Sequence, residues 1–151
     1  ALYSGILPLT RDERGIATVV SHEIAHVIAN HAGERMSQLL LAQLGNVALS
    51  QAVRDRPEKT RQLSMLAYGL GANIGVLLPY SRTHEEEADR IGLILMAEAG
   101  YDPASSVDFW QRMQEESQAR PPEFLSTHPS PERRIAAIRQ FLPEAMRYYR
   151  R

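Results

Sequence analysis

The pentapeptide His22-Glu23-Ile24-Ala25-His26 decides how this chain is read. Residues four apart on a helix stack on one face, so His22 and His26 project together and can hold one metal ion. Glu23 lies about 100° around the helix from His22 and about 60° from His26. It therefore sits beside the metal, where a base for a metal-bound water belongs. Upstream, Thr10 and Glu13 have the spacing of a capping box and predict a helix start just before the motif. Ile16, Val20, Ile24 and Val27 recur at helical spacing and predict an apolar stripe, nearly opposite the two histidines, that packs into a core. The bland alternative is a pair of histidines on a solvated amphipathic helix. The intervening Glu and the clean stripe favour the metal.

A catalytic zinc takes three protein ligands and keeps a position for water. The chain has no cysteine, so the third ligand is His, Asp or Glu. His31 falls about 180° around the helix from His22, on the apolar stripe, and reads as a packed core or helix-end histidine. The better candidate lies in Ser81-Arg82-Thr83-His84-Glu85-Glu86-Glu87-Ala88-Asp89. Pro79 ends what precedes it, and Thr83 with Glu86 predicts a second capping box. Glu85 and Asp89 share a face, with Ala88, Gly92 and Met96 on the same side. The small residues allow this helix to approach the first one closely. Glu85 is read as the third zinc ligand. Asp89 is read as the acceptor that fixes a ligand histidine's tautomer through its other ring nitrogen. Glu86 and Glu87 fit a solvated acidic helix start.

These motifs, followed by Ser126-Thr127-His128-Pro129, resemble the zinc metallopeptidases that include HtpX, BepA and the CAAX prenyl protease (metallopeptidase family forty-eight). The resemblance runs from Tyr3 to about Ile138, and is closer to the soluble BepA-like branch than to the multi-span membrane branch. It implies that Glu85 is the third zinc ligand and that Asp89 is the motif's Asp four residues later. It also implies that His128 can approach the zinc. There His128 either occupies the water position and silences the enzyme or stabilises the oxyanion during turnover. Its bland alternative is a loop-packing histidine. Ser130 and Pro131 read as the cap and first residue of a final helix.

Length and composition set the bounds. A chain of 151 residues is expected to form one domain with a real core. A net charge of -1 indicates no nucleic-acid partner. The pairs Arg133-Arg134 and Arg150-Arg151 read as solvated ends. Absence of cysteine excludes disulfides and thiolate metal sites and leaves the compartment open. The chain starts Ala-Leu-Tyr, so it is expected to begin inside a longer protein. In the family, Tyr3-Ser4-Gly5-Ile6-Leu7 matches the end of a strand. Helices are expected near 11–33, 37–53, 58–76, 83–99, 103–118 and 131–142. Gly100 reads as a helix stop, Asp102-Pro103 as the next cap, and Arg120-Pro121-Pro122 as a loop. Residues 63–80 are apolar but rich in Gly. They look short for a bilayer span that needs about 20 apolar residues, and read as a core helix or a mobile flap.

The fold class expected is mainly α: a helical zincin-type metallopeptidase domain over residues 1–151, N-terminally incomplete, with at most a short N-terminal strand remnant. The function expected is a zinc-dependent endopeptidase. It would bind one zinc per chain through His22, His26 and Glu85, and use Glu23 as general base on polypeptide substrates. The resemblance implies protein quality control in the periplasm or cell envelope, with membrane association through missing segments. The rivals are a zinc-stabilised chaperone-like or binding module with little proteolysis, and an exopeptidase or other zinc hydrolase.

Overall fold

The structure, a computed structural model, describes residues 4–119 and 131–150. Among the described residues it is mainly α, without a strand. The segment matched to a strand end is instead a 3-10 turn, Ser4–Ile6, running into the short helix α1, Leu7–Thr10. Pro8 lies in the first turn of α1, where a fixed φ and a missing N–H suit a helix start. Tyr3 is outside the described residues.

The helix that carries the His22–His26 motif, α2, is Glu13–Ile28, and its cap is Asp12 rather than Thr10. Thr10 is already committed to α1, with its hydroxyl donating to the Leu7 carbonyl at 2.8 Å. Asp12 is extended, and its Oδ1 accepts from the N–H groups of Arg14 and Gly15, each at 3.0 Å. α2 stops short of the expected residue 33. Asn30 takes the left-handed conformation (φ 56°), which Asn tolerates better than most residues. The next helix, α3, therefore begins at His31 and runs to Ala52.

α4 is Glu58–Ala72, followed by one π turn, Asn73–Leu77, and by α5, Leu78–Glu98. No helix starts at Thr83. The helix is already running, and the Thr83 hydroxyl donates back to the Pro79 carbonyl at 3.2 Å. Pro79 occupies the first turn of α5, where its ring is tolerated. Gly100 (φ 83°) ends α5 as expected, with N–H groups of Gly100 and Tyr101 returning to the carbonyls of Ala97 and Met96. Asp102 Oδ1 then accepts from Ala104 N–H at 2.9 Å and opens the turn into α6, Ser105–Ala119. The last helix, α7, is Pro131–Ala145. The expected 120–122 loop and His128 lie outside the described residues.

The chain forms two compact units: one of Ala1–Ala29 with Glu85–Arg151, the other Asn30–His84. The core of the first is built by Phe109, Trp110 and Met113 of α6 with Ile135, Ile138 and Phe141 of α7. The expected stripe of α2 does not join it. Ile16 and Ile24 are exposed and Val27 is 78 % exposed. α2 instead buries Gly15, Thr18, Val19, Ser21, His22 and Ala25. Small residues set this choice, because they let backbones approach. A Cβ on Gly92 of α5 would stand 3.1 Å from the His22 nitrogen.

The second unit is a helical hairpin of α3 and α4 with the π turn and the start of α5. Its only buried residues are His31 and His84, whose rings stack with centroids 4.3 Å apart. His84 Nε2 also lies 2.8 Å from Glu34 Oε2. No residue of α4 is buried, so residues 63–72 are not a core helix.

Candidate metal centre

α2 carries His22 and His26 one turn apart, and α5 carries Glu85 and Asp89 one turn apart. Gly92 sits against the His22 backbone, and Ala88 is fully buried beside it in sequence phase. This close approach brings the two pairs together, as the small residues of the sequence predict. His22 Nε2 and His26 Nε2 are 3.1 Å apart. Each lies 3.4 Å from a Glu85 carboxylate oxygen. A tetrahedral zinc with bonds of 2.0–2.1 Å needs donor atoms about 3.3 Å apart. The three side chains fit that triangle, and their donor atoms all lie within 4.8 Å of one another. Two imidazoles and one carboxylate are also the donor set that suits zinc. Among the described residues, no other such group could hold a metal.

Behind His22, its Nδ1 lies 3.1 Å from Asp89 Oδ1. A proton on Nδ1 donated to that carboxylate leaves Nε2 free for a metal. Glu23 is half-buried on the same helix, beside the two histidines.

Arg134 of α7, read from sequence as a solvated end, is instead buried in this cluster. Its Nε donates to Asp89 Oδ2 at 2.8 Å and its Nη1 to Glu85 Oε2 at 2.9 Å. Its Nη2 contacts Asp89 Oδ1 and lies 3.0 Å from His22 Nδ1. The guanidinium carbon stands 3.7 Å from the Trp110 ring centre, a cation–π arrangement that favours a desolvated Arg. The sequence holds a signal for this. Arg134, Ile138, Phe141 and Ala145 fall at i, i+4, i+7 and i+11, so one Arg lies on the apolar face of α7. A charge on a core face must have partners, and Glu85 and Asp89 are carboxylates able to serve.

The electrostatics follow from this packing. Burial works against ionising Glu85, but bonds from His22 and His26 and the Arg134 charge outweigh it and hold the carboxyl well below the usual range. Burial likewise opposes ionised Asp89, and Arg134 with His22 outweighs it. For His22, burial and the Arg134 charge push the imidazole down, while Asp89 and Glu85 pull it up. The carboxylates win, and its pKa is raised. The two carboxylates are thus held ionised, while His22 holds its proton more tightly and must release one for Nε2 to take a metal.

A model of Peptidase family M48 matches residues 1–142. The chain belongs to that family. "Mitochondrial metalloendopeptidase OMA1" of Schizosaccharomyces pombe is 40 % identical over 146 residues, covering 95 % of this chain and 41 % of the relative. The human "Metalloendopeptidase OMA1, mitochondrial" is 33 % identical, covering 97 % of this chain and 29 % of the relative. The "Beta-barrel assembly-enhancing protease" of Escherichia coli K12 is 29 % identical, covering 91 % of this chain and 29 % of the relative. The chain thus spans less than half the length of these M48 relatives. Those from eukaryotes include proteins named as mitochondrial and those from bacteria do not, so the similarity assigns no compartment. No solved structure matches.

Proposed function

We propose that this chain is the zinc-bearing part of an endopeptidase that cuts polypeptides, with Glu23 as general base. The observation that carries the reading is the triangle of His22 Nε2, His26 Nε2 and the Glu85 carboxylate, with His22 and Glu85 buried and His26 half-buried. One zinc per chain held there supplies Lewis acidity to a scissile carbonyl and to a water molecule. His22 presents Nε2 because Asp89 takes the proton side of the ring at Nδ1. Glu85 arrives ionised, held so by His22, His26 and the Arg134 charge. The Glu23 carboxylate accepts the proton of the attacking water and returns it to the leaving amine nitrogen. Residues 1–151 form the zinc peptidase domain of a longer protein. Its task is quality control of polypeptides, a reading supported by resemblance and by relatives named as endopeptidases and an assembly-enhancing protease. The resemblance supports a role for His128 in which its imidazole competes with the attacking water in the resting state. His128→Ala then raises activity, whereas an oxyanion role would lower it.

The test is metal analysis of the purified chain paired with casein digestion. One zinc per chain is expected for the wild type and for Glu23→Gln, with hydrolysis lowered at least about a hundredfold in the variant, since an amide cannot take the proton. Near-normal turnover in Glu23→Gln would sink the mechanism. Stoichiometric zinc without hydrolysis in the wild type would favour a zinc-stabilised binding module.

A further inference from the structure

The hairpin of the second unit has its side chains arranged the wrong way round for water. Along the seam between its arms the half-buried positions are Gln38, Ala42, Gly45 and Leu49 facing Met65, Tyr68, Gly69 and Ala72. Four of these eight are Ala or Gly, and at Gly45 the two arms come close. A Cβ on Gly45 would stand 2.1 Å from Tyr68 Oη, and that hydroxyl donates across the seam to the Ala42 carbonyl at 2.8 Å. The large apolar side chains point away: Leu40, Leu41, Leu44, Leu63, Leu66 and Leu70 are all exposed, Leu41 by 69 %. Small residues inside and leucines outside is the packing of helices in lipid, where apolar side chains gain nothing by hiding from their surroundings.

Charge follows the same pattern. Residues 36–53 and 62–81 contain no Asp, Glu, Lys, Arg or His. A helix that shows one apolar stripe to a protein partner keeps charges on its opposite side. Neither arm has a charged side, and the exposed polar positions of the first, such as Gln43, Asn46 and Ser50, are all uncharged. Leu39, Leu40 and Leu41 are consecutive and all exposed, and consecutive helical residues point about 100° apart. A second copy or a bound peptide covers one stripe of a helix. A lipid phase covers the whole circumference. The groove of about 960 Å³ beside the arms, lined by Leu41, Tyr68, Val76 and Tyr80 among others, covers only part of it.

Length and tip complete the argument. At 1.5 Å per residue the uncharged arms are about 27 Å and about 30 Å long, against a hydrocarbon layer of about 30 Å. The stretch Glu58–Glu98 includes a window long and apolar enough to cross a membrane, none of it buried. Residues 54–61, which join the arms, hold Arg54, Arg56, Lys59 and Arg61 against Asp55 and Glu58. That tip is net cationic, which complements anionic lipid headgroups. At the other end Tyr80 is exposed, an aromatic where interfacial belts place one. The Asn73 side chain satisfies itself on the Gly69 carbonyl at 3.2 Å, as an amide in hydrocarbon must.

We propose that this hairpin is embedded in a lipid bilayer, its uncharged arms in the hydrocarbon layer and its cationic tip against anionic headgroups. The proposal stands independently of the peptidase reading, since no residue of 36–81 belongs to the metal cluster.

The full chain, made in a cell-free reaction with vesicles of phosphatidylcholine and phosphatidylglycerol, should float with the vesicles and resist an alkaline carbonate wash. The L44E/L66E variant should lose at least about tenfold of the floated fraction, because a charge in hydrocarbon is costly. Its helical circular dichroism and zinc content should stay unchanged. The chain has no cysteine, so Leu66→Cys can carry a single polarity-sensitive dye. That dye should shift to the blue with vesicles and be quenched by brominated acyl chains. Equal flotation of wild type and L44E/L66E, or a dye that brominated lipid leaves unquenched, would overturn the proposal. So would a wild-type chain that stays in solution as a dimer or on a captured apolar peptide. Equal flotation with phosphatidylcholine alone would overturn the headgroup assignment of the tip. Loss of zinc or hydrolysis elsewhere would leave these readings untouched, so the two proposals fail separately.

Discussion

Trp110 and Leu44 stand for the two units of this chain. Trp110 is fully buried, packed on Phe109, with the Arg134 guanidinium over its ring. Leu44 is 65 % exposed on a helix arm that carries no charge. Around α6 and α7 of the first unit large apolar side chains go inside, and the buried charges sit in one partnered cluster. In the hairpin the inside is small and the leucines are outside. Burial is therefore not read from hydrophobicity alone. α2 already makes the point: it buries Gly, Thr, Ser, Ala and a histidine, and leaves Ile16, Ile24 and Val27 exposed. What a helix packs against, and how closely, selects its buried face.

The contrast is tested hardest at the charged cluster. Arg134→Met removes the guanidinium that bonds both Asp89 and Glu85. Breaking a buried ion pair from one side costs about 3–5 kcal/mol, because the remaining charge stays buried and unpaired. Urea denaturation of the zinc-stripped chain should show a loss of that size. The same variant has a pH signature. The carboxyls of Asp89 and Glu85 titrate below their ordinary values of 3.8 and 4.5 in the folded chain. Their stabilisation is therefore present above those values and lost as pH falls through the lowered ones. Without Arg134, burial of Asp89 is opposed by less charge, so the acid loss of stability should begin at higher pH. A midpoint that follows the same pH curve in wild type and Arg134→Met would remove Arg134 from the cluster's electrostatics.

A comparable loss is expected at the core itself. Phe109→Ala should cost about 3–5 kcal/mol, the usual range for emptying a buried aromatic site. A loss below about 1 kcal/mol would mean that the first unit is not held by this core, and the contrast with the hairpin would collapse.

The meeting of the four side chains in the candidate site is legible in the amino-acid sequence. His22 with His26, and Glu85 with Asp89, each carry the i, i+4 spacing that puts two side chains on one helix face. Ala88 and Gly92 foreshadow their meeting. The helical class is legible too, as are the stop at Gly100 and the turn at Asp102. Other readings fail for physical reasons. A capping box is a local pattern, and at Thr10 and Thr83 the neighbouring backbone is already helical, so each hydroxyl turns back to its own helix. The break at Asn30 is hidden because a left-handed Asn leaves no strong trace in hydrophobic periodicity. Arg134 is hidden because pairs of Arg near a terminus are commonly solvated. Only its phase on the apolar face of α7 separates it from Arg133.

A smaller effect is expected where α2 and α5 touch. Gly92→Ala adds a Cβ 3.1–3.2 Å from the His22 backbone, and backbone yields less readily than a side-chain tip. Overpacking of this kind costs about 1–3 kcal/mol, and a single methyl belongs at the low end. The more diagnostic readout is zinc affinity, since separating α5 from α2 moves Glu85 away from both histidines. Unchanged zinc affinity together with unchanged stability would show that Gly92 is not the spacer that sets the triangle.

The smallest effect is the one that sharpens the comparison most. Leu66→Ala, studied in lipid-free buffer, should change stability by less than about 0.5 kcal/mol, as substitutions at exposed sites generally do. Leu66 is 60 % exposed, so no cavity forms when its side chain is cut back. Ala is also at least as good a helix former as Leu, which removes a propensity penalty. The same substitution at Phe109 or another core position carries a cavity term, and that term is what divides the two units. A measured loss of about 2 kcal/mol at Leu66 would mean that something covers it in solution. If that loss grew with protein concentration, the cover would be a second copy of the chain, and the leucines of the hairpin would form an interface between proteins rather than a face for lipid.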